Sequence, residues 1–184
     1  MSRYRETELK TKERNWGPAK GYYDLATAIK PSSGASHNQL AVIALSDGSH
    51  LRALYHLYRA LSVDVPYPRA RENLDKELKK ILDRKKKNQL FLPSSAQQPS
   101  VVLQAWFVYL HARLHAGVNF SEHEELENEV LTNLSVELKE RSLDDLLNRL
   151  ALSNIAAQHL ASMQKAGKQY QYDRAPILVL NICL

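Results

Sequence analysis

The sequence contains an internal repeat with an offset of 34 residues. Three pairs of positions match at this offset and a fourth at 35: Ala19 with Ala53, Tyr23 with Leu57, Ala26 with Ala60, and Pro31 with Pro66. The small residues let paired helices approach closely, and the large residue fills the space between neighbouring pairs. This period and pattern are typical of the second helix of a tetratricopeptide repeat and the turn that follows it. The alternative is a chance match in a helical chain rich in alanine and leucine.

Most of the remaining chain also has the periodicity of a helix. Gly, Pro and Asp-Gly turns separate the periodic segments, which predicts helices near 1–14, 17–30, 36–46, 49–63, 67–86, 98–116, 121–140 and 142–165. Strand-like alternation occurs only in the last ten residues. The sequence therefore predicts an all-α fold, in which tetratricopeptide-like helical repeats are followed by a helical-hairpin block to form an α-α superhelix.

The polar, proline-containing segment 88–100 is the best candidate for a domain boundary. It predicts a tetratricopeptide-like region over 1–92 and a C-terminal helical block over 93–184. In the second block, apolar residues at helical spacing are predicted to face the core: Leu126, Val130, Leu134 and Leu138, and then Leu143, Leu146, Leu147, Leu150, Ile155, Leu160 and Met163.

Positive charge is concentrated in the first half of the chain. Residues 1–92 hold 18 Lys and Arg against 10 Asp and Glu, whereas residues 93–184 hold 7 against 10. The strongest basic cluster comprises Arg69, Arg71, Lys79, Lys80, Arg84, Lys85, Lys86 and Lys87. Such a cluster predicts contact with the backbone of RNA or single-stranded DNA, or a nuclear import signal, and the alternative is a solvated helix face. Only Tyr67 and Phe91 offer aromatic rings for base stacking nearby in the sequence.

No pattern in the sequence predicts catalysis. Cys183 is the only cysteine, which excludes a disulfide framework and a cysteine-based zinc site. His111 and His115 are four residues apart, but no Glu follows His111 and no third metal ligand is apparent. A glycine-rich phosphate loop is absent, as is an apolar run of 18 residues. We therefore expect a protein that is not an enzyme and has no catalytic residue, metal site, cofactor or membrane partner.

Several motifs in the first half of the chain carry a resemblance to a known family. Residues 19–26 read AKGYYDLA, residues 31–44 read PSSGASHNQLAVIA, and the match continues through 54–62, Pro66 and the ARENL of 70–74. This stretch resembles the Ever Shorter Telomeres/SMG family. The resemblance is specific over residues 1–80 and extends to 98–165 only in helix content and spacing.

The resemblance implies a domain similar to 14-3-3 proteins, built from tetratricopeptide-like helices and followed by a helical-hairpin block. Family members are adaptors in nonsense-mediated mRNA decay that bind phosphoserine motifs on the decay helicase. Another branch regulates telomerase and binds single-stranded nucleic acid. For this chain it implies a non-catalytic adaptor of the nucleus or cytoplasm, with protein partners of mRNA decay or telomerase that include a phosphorylated helicase. The alternative is a telomerase-associated protein that binds RNA or single-stranded DNA through the basic N-terminal half.

The phosphate site of the family can be carried over only in part. Arg3 and Tyr4 resemble the end of a Gly-Asp-x-x-Arg-Tyr helix, in which the Arg forks onto phosphate and the Tyr hydroxyl donates a second hydrogen bond. The second cation of the family site, on an earlier helix, has no counterpart here, so the 1–92 region is expected to be incomplete at its N-terminus. The chain also closes on the apolar run 177–184, which suggests truncation at both ends. The alternatives are that Arg3 and Tyr4 are a simple terminus and that the final run packs in the core.

Overall fold

The computed structural model describes residues 15–90, 98–117, 122–140 and 144–167. Within these ranges the chain forms seven helices: α1 Gly17–Ile29, α2 Gly34–Ser46, α3 His50–Leu61, α4 Ala70–Lys86, α5 Pro99–His115, α6 His123–Glu140 and α7 Asp144–Gly167. Their bounds agree with the predicted ones to within three residues, and the all-α class is confirmed. None of these helices is long and apolar enough to cross a lipid bilayer. The helix predicted over 1–14 and the alternating last ten residues lie outside the described ranges.

The helices stack in the order of a helical repeat. Each of α1 to α4 packs on the next helix along the chain, and α3 also contacts α5. In a repeat of helix pairs, α2 and α3 then form one pair and α4 and α5 form the next, so α3 and α5 are second helices. Helix α1 carries the same repeat positions as α3 and is therefore also a second helix. The first helices α2 and α4 are joined by Asn73 Nδ2, which donates to Asn38 Oδ1 at 2.9 Å. The repeat is therefore confirmed, and α5 carries a third copy at Ala105, Tyr109 and Ala112, which are 52 residues after the copy in α3.

Helix α2 begins at Gly34, two residues before the predicted start, and this position lies directly against the end of α3. The Gly34 amide donates to the Val65 carbonyl at 2.9 Å, and the Val65 amide donates to the Ser32 carbonyl at 2.9 Å. A Cβ at Gly34 would collide with the carbonyl oxygen of Ala60 and lie 2.8 Å from the backbone nitrogen of Tyr67. The Pro-Ser-Ser-Gly turn thus ties the start of α2 to the segment that follows α3.

Helices from both predicted blocks share one hydrophobic core. Its fully buried side chains include Leu54 and Leu57 of α3, Leu78 of α4, Phe107 of α5 and Leu150 of α7. Helix α7 packs on α3, and α6 packs on α5. The boundary expected near residue 92 falls within 91–97, which the structure does not describe, and it stays a prediction.

A buried polar chain fastens α7 to the repeats. His111 Nε2 lies 2.9 Å from Asn154 Oδ1, and His111 Nδ1 lies 3.0 Å from the Tyr58 hydroxyl. Because an amide oxygen can only accept, Nε2 carries the proton and Nδ1 accepts a hydrogen bond from Tyr58. One neutral imidazole on α5 therefore joins a tyrosine on α3 to an asparagine on α7.

Three of the predicted core positions in the C-terminal block are wrong. Leu138, Ile155 and Met163 are 50%, 62% and 59% exposed. A spacing of four residues advances about 40° around a helix at each step, so the row that starts at Leu126 has rotated out of the core by Leu138. The buried position on that turn is Glu137, which is 0% exposed. On α7 the buried face runs through Leu150, Ser153, Ala156 and Leu160, and Ile155 lies nearly opposite to it.

Candidate nucleic-acid interface

The basic residues predicted to form one patch are spread along α4. Arg69 is the residue before the helix and Arg71 lies in its first turn. At a rise of about 1.5 Å per residue, both are about 20 to 25 Å from the lysines at the other end. Arg71 is partly buried. Burial raises the pKa of the Tyr58 hydroxyl, and the positive charge of Arg71 opposes this rise. The helix therefore separates these two arginines from the lysines at its far end, and Lys79 and Lys80 lie between them.

Four lysines in the second half of the helix and just after it are exposed: Lys79, Lys80, Lys86 and Lys87. Among the described residues, none of the four lies within ion-pair distance of a carboxylate. Positive charge in the last turn of a helix also complements the negative end of the helix dipole. The result is a cationic surface that is open to solvent and is fixed in place by a regular helix.

Arg84 has a different role from its lysine neighbours. Its guanidinium donates to His50 Nε2, and His50 Nδ1 lies 2.6 Å from Glu77 Oε1. Because Nε2 accepts, the proton of the imidazole is on Nδ1 and is donated to the carboxylate. Glu77 is 4% exposed, so this chain satisfies a buried charge and holds α4 against the first residue of α3.

Lys85 meets two aromatic rings of α5. Its Nζ lies 4.9 Å from the centroid of Trp106 and 5.6 Å from that of Tyr109. The two ring centroids are 6.3 Å apart at an interplanar angle of 62°, and Arg113 Nη1 donates to the Tyr109 hydroxyl at 3.4 Å. We call Lys85, Trp106, Tyr109 and Arg113 the cation–aromatic strip. Within this strip, Lys85 directly precedes Lys86 in the sequence, and the two side chains point about 100° apart around α4.

Proximity in the sequence pointed only to Tyr67 and Phe91, whereas the packing of α4 and α5 brings other aromatic rings to the basic residues. Helix α5 runs antiparallel to α4, because His115 Nε2 lies 2.9 Å from Asp75 Oδ1 and the earlier residue Trp106 lies beside the later residue Lys85. This packing brings Trp106, which is 21 residues away in the sequence, beside Lys85. Tyr67 lies before the other end of α4, and Phe91 is outside the described residues.

The other histidine and carboxylate clusters of the described residues do not form a metal site. His111 is engaged at both ring nitrogens and His115 faces α4, so the two do not converge. The described part of the chain has no group of three or more side chains that could hold a metal ion. Arg3 and Tyr4, the predicted phosphate ligands, lie outside the described residues.

A second pair of histidines lies between α2 and α3. His37 Nδ1 and His56 Nδ1 are 3.1 Å apart, so one of these two nitrogens carries a proton and donates it to the other. Burial and the positive charge of Arg59 lower the pKa of His37 to about 4. Burial, with His37 and nearby cations, lowers the pKa of His56 to about 3. The pair therefore adds no charge to the basic surface at neutral pH.

The sequence matches a known family over most of its length. A sequence profile described as the Est1 DNA/RNA binding domain matches residues 19–182. A nonsense-mediated mRNA decay factor SMG7-like protein of Arabidopsis thaliana is 47% identical over 75 residues, which are 40% of this chain and 8% of that relative. Telomerase-binding protein EST1A of Danio rerio is 35% identical over 74 residues, which are 40% of this chain and 5% of that relative.

A third relative is the telomere elongation protein est1 of Schizosaccharomyces pombe, which is 38% identical over 78 residues. These residues are 42% of this chain and 16% of the relative. The chain thus spans less than a fifth of the length of each of these curated relatives. The resemblance carried by the motifs of the first half is confirmed, and the chain belongs to the family of the Est1 DNA/RNA-binding domain.

Proposed function

We propose that this chain is a non-catalytic adaptor of mRNA decay or telomere maintenance, and that single-stranded nucleic acid is one of its partners. The observation that carries the proposal is the row of exposed lysines on α4 that have no carboxylate partner among the described residues. Lysines on one face neutralise backbone phosphates and release the counterions condensed on the strand. The matched family is described as a DNA/RNA binding domain, which supports nucleic acid as a class of partner.

Lys86 and Lys87 at the end of α4 are the best test positions. We expect the double variant K86E/K87E to bind labelled single-stranded RNA and DNA more weakly than the wild type in fluorescence anisotropy. Each phosphate contact contributes about 0.7 to the slope of log affinity against log salt for a single strand, so the variant should also have a shallower slope. The matched control is K30E/K139E, which makes the same change in net charge at two exposed lysines away from α4, one just after α1 and one in α6.

The proposal fails if both double variants bind alike, because affinity would then depend on net charge and not on this surface. It also fails if the wild type does not bind single strands at low salt. A duplex of the same sequence serves as a further control, since it offers the charge without exposed bases.

The adaptor part of the proposal has a separate test in cells. Stacked helix pairs present extended surfaces to protein partners and carry no reaction chemistry of their own. Tethering the chain to a reporter mRNA should shorten the half-life of the reporter if decay factors are recruited. An unchanged half-life, with the chain expressed and bound to the reporter, would contradict a role in decay and leave the telomere branch.

A further inference from the structure

We propose that Trp106 stacks on a nucleobase of the bound strand, and that Lys85 leaves the indole face for a neighbouring phosphate when this happens. The inference rests on the nucleic-acid binding proposed above and names the residue that would contact a base. In the cation–aromatic strip, the flexible side chain of Lys85 lies over the ring of Trp106, which packs against the hydrophobic core.

The position of Lys85 shows which part of the indole a ligand can reach. Trp106 is partly buried and packs against the hydrophobic core, whereas the ammonium group of Lys85 lies 4.9 Å from the ring centroid. A cation over an aromatic ring at a partly exposed site is a weaker contact than a base stacked on the same ring. A base that displaces Lys85 therefore gains the stronger contact, and the lysine exchanges the ring for a phosphate.

The repeat also sets Trp106 apart from the equivalent residue of the preceding unit. With the offset of 52 residues, Trp106 and Arg113 of α5 correspond to Leu54 and Leu61 of α3. Leu54 is 0% exposed, so this repeat position is a core position in the middle of the array. Helix α5 replaces both leucines by side chains that are suited to a base and a phosphate. The two replacements lie seven residues apart on one face of the helix, and Trp106 lies beside Lys85 of α4.

Tryptophan fluorescence tests the inference directly. The chain has two tryptophans, Trp16 and Trp106, and Trp16 Nε1 donates to Ser46 Oγ at the end of α2. The variant W16F leaves Trp106 as the sole reporter. We expect single-stranded RNA to quench its emission, with the same midpoint as anisotropy, whereas a duplex of the same sequence quenches much less because its bases are paired.

Substitution of the ring supplies the second readout. We expect W106L to weaken single-strand binding about tenfold with an unchanged salt slope, because stacking is lost and phosphate contacts remain. W106F keeps an aromatic face and should retain most of the affinity. Circular dichroism checks the fold of each variant, and if W106L does not fold, the quenching of Trp106 in W16F and the affinity of W106F decide.

The outcomes separate this inference from the proposed function. If K86E/K87E weakens binding but Trp106 is not quenched and W106L binds like the wild type, the stacking role is wrong and the phosphate contacts stand. If no variant and not even the wild type binds single strands, the proposed function fails and the stacking role fails with it.

Discussion

The neutral state of His111 leads to a specific prediction for the dependence of stability on pH. Burial lowers the pKa of His111 to about 4, although the hydrogen bond to Asn154 opposes this shift, and the ordinary value is 6.5. The unfolded chain therefore takes up a proton at a higher pH than the folded chain does. The contribution of His111 to the free energy of unfolding is fully present above pH 6.5 and is lost as the pH falls towards 4.

The size of the effect follows from the two pKa values. The gap between 6.5 and about 4 corresponds to a loss of about 2 kcal/mol of unfolding free energy between pH 7 and pH 5. Solvent screens a charge on His111 very little, because the side chain is 3% exposed. The hydrogen bonds point the same way, because a proton on Nδ1 would stand where the Tyr58 hydroxyl now donates.

Urea unfolding at pH 7 and pH 5, followed by circular dichroism, measures this loss in the wild type and in H111Q. The amide of glutamine can accept one hydrogen bond and donate another, as the neutral imidazole does, but it does not take up a proton in this pH range. The variant therefore lacks the pH dependence that His111 gives to the free energy of unfolding. We expect the wild type to lose about 2 kcal/mol more than H111Q over this interval. His37 and His56 are present in both proteins, and their contributions cancel in the difference. Equal losses in the two proteins would refute the account of His111 as a buried neutral group.

Three further predictions test the packing. Tyr58→Phe leaves His111 Nδ1 buried without its donor, and we expect urea unfolding to show a loss of about 1–3 kcal/mol. Gly34→Ala forces the start of α2 away from backbone atoms of α3, and we expect urea unfolding to show a loss of about 1–3 kcal/mol or more in the free energy of unfolding. At an open helical site such as Gly21, the same substitution should instead raise the free energy of unfolding. Leu134→Ala should cost about 2–5 kcal/mol in thermal or urea unfolding and Leu138→Ala less than about 0.5 kcal/mol, because the two leucines are 5% and 50% exposed; equal costs would contradict the rotated face of α6.

The helices and the repeat were predictable because their signals are local. Turn residues mark the ends of each helix, and the spacing of small and large residues within α1 and α3 repeats at one offset. The copy in α5 has the same internal spacing but follows at 52 residues instead of 34, so a search at a single offset misses it. The exposed Leu138 was mispredicted for a related reason, since a row with a spacing of four looks regular in sequence but turns away from the core on a helix with 3.6 residues per turn.

The cation–aromatic strip was not predictable in the same way. The offset of 52 residues alone would have placed Trp106 at the repeat position of Leu54, but it does not say which residue of α4 lies beside the ring. Arg84, Lys85 and Lys86 are consecutive, and on a helix they point about 100° apart. Packing gives them three different environments: Arg84 binds the His50–Glu77 pair, Lys85 covers the indole, and Lys86 is exposed. The sequence shows a run of equivalent charges, and only the contacts of α4 with α3 and α5 make one of them the neighbour of a ring.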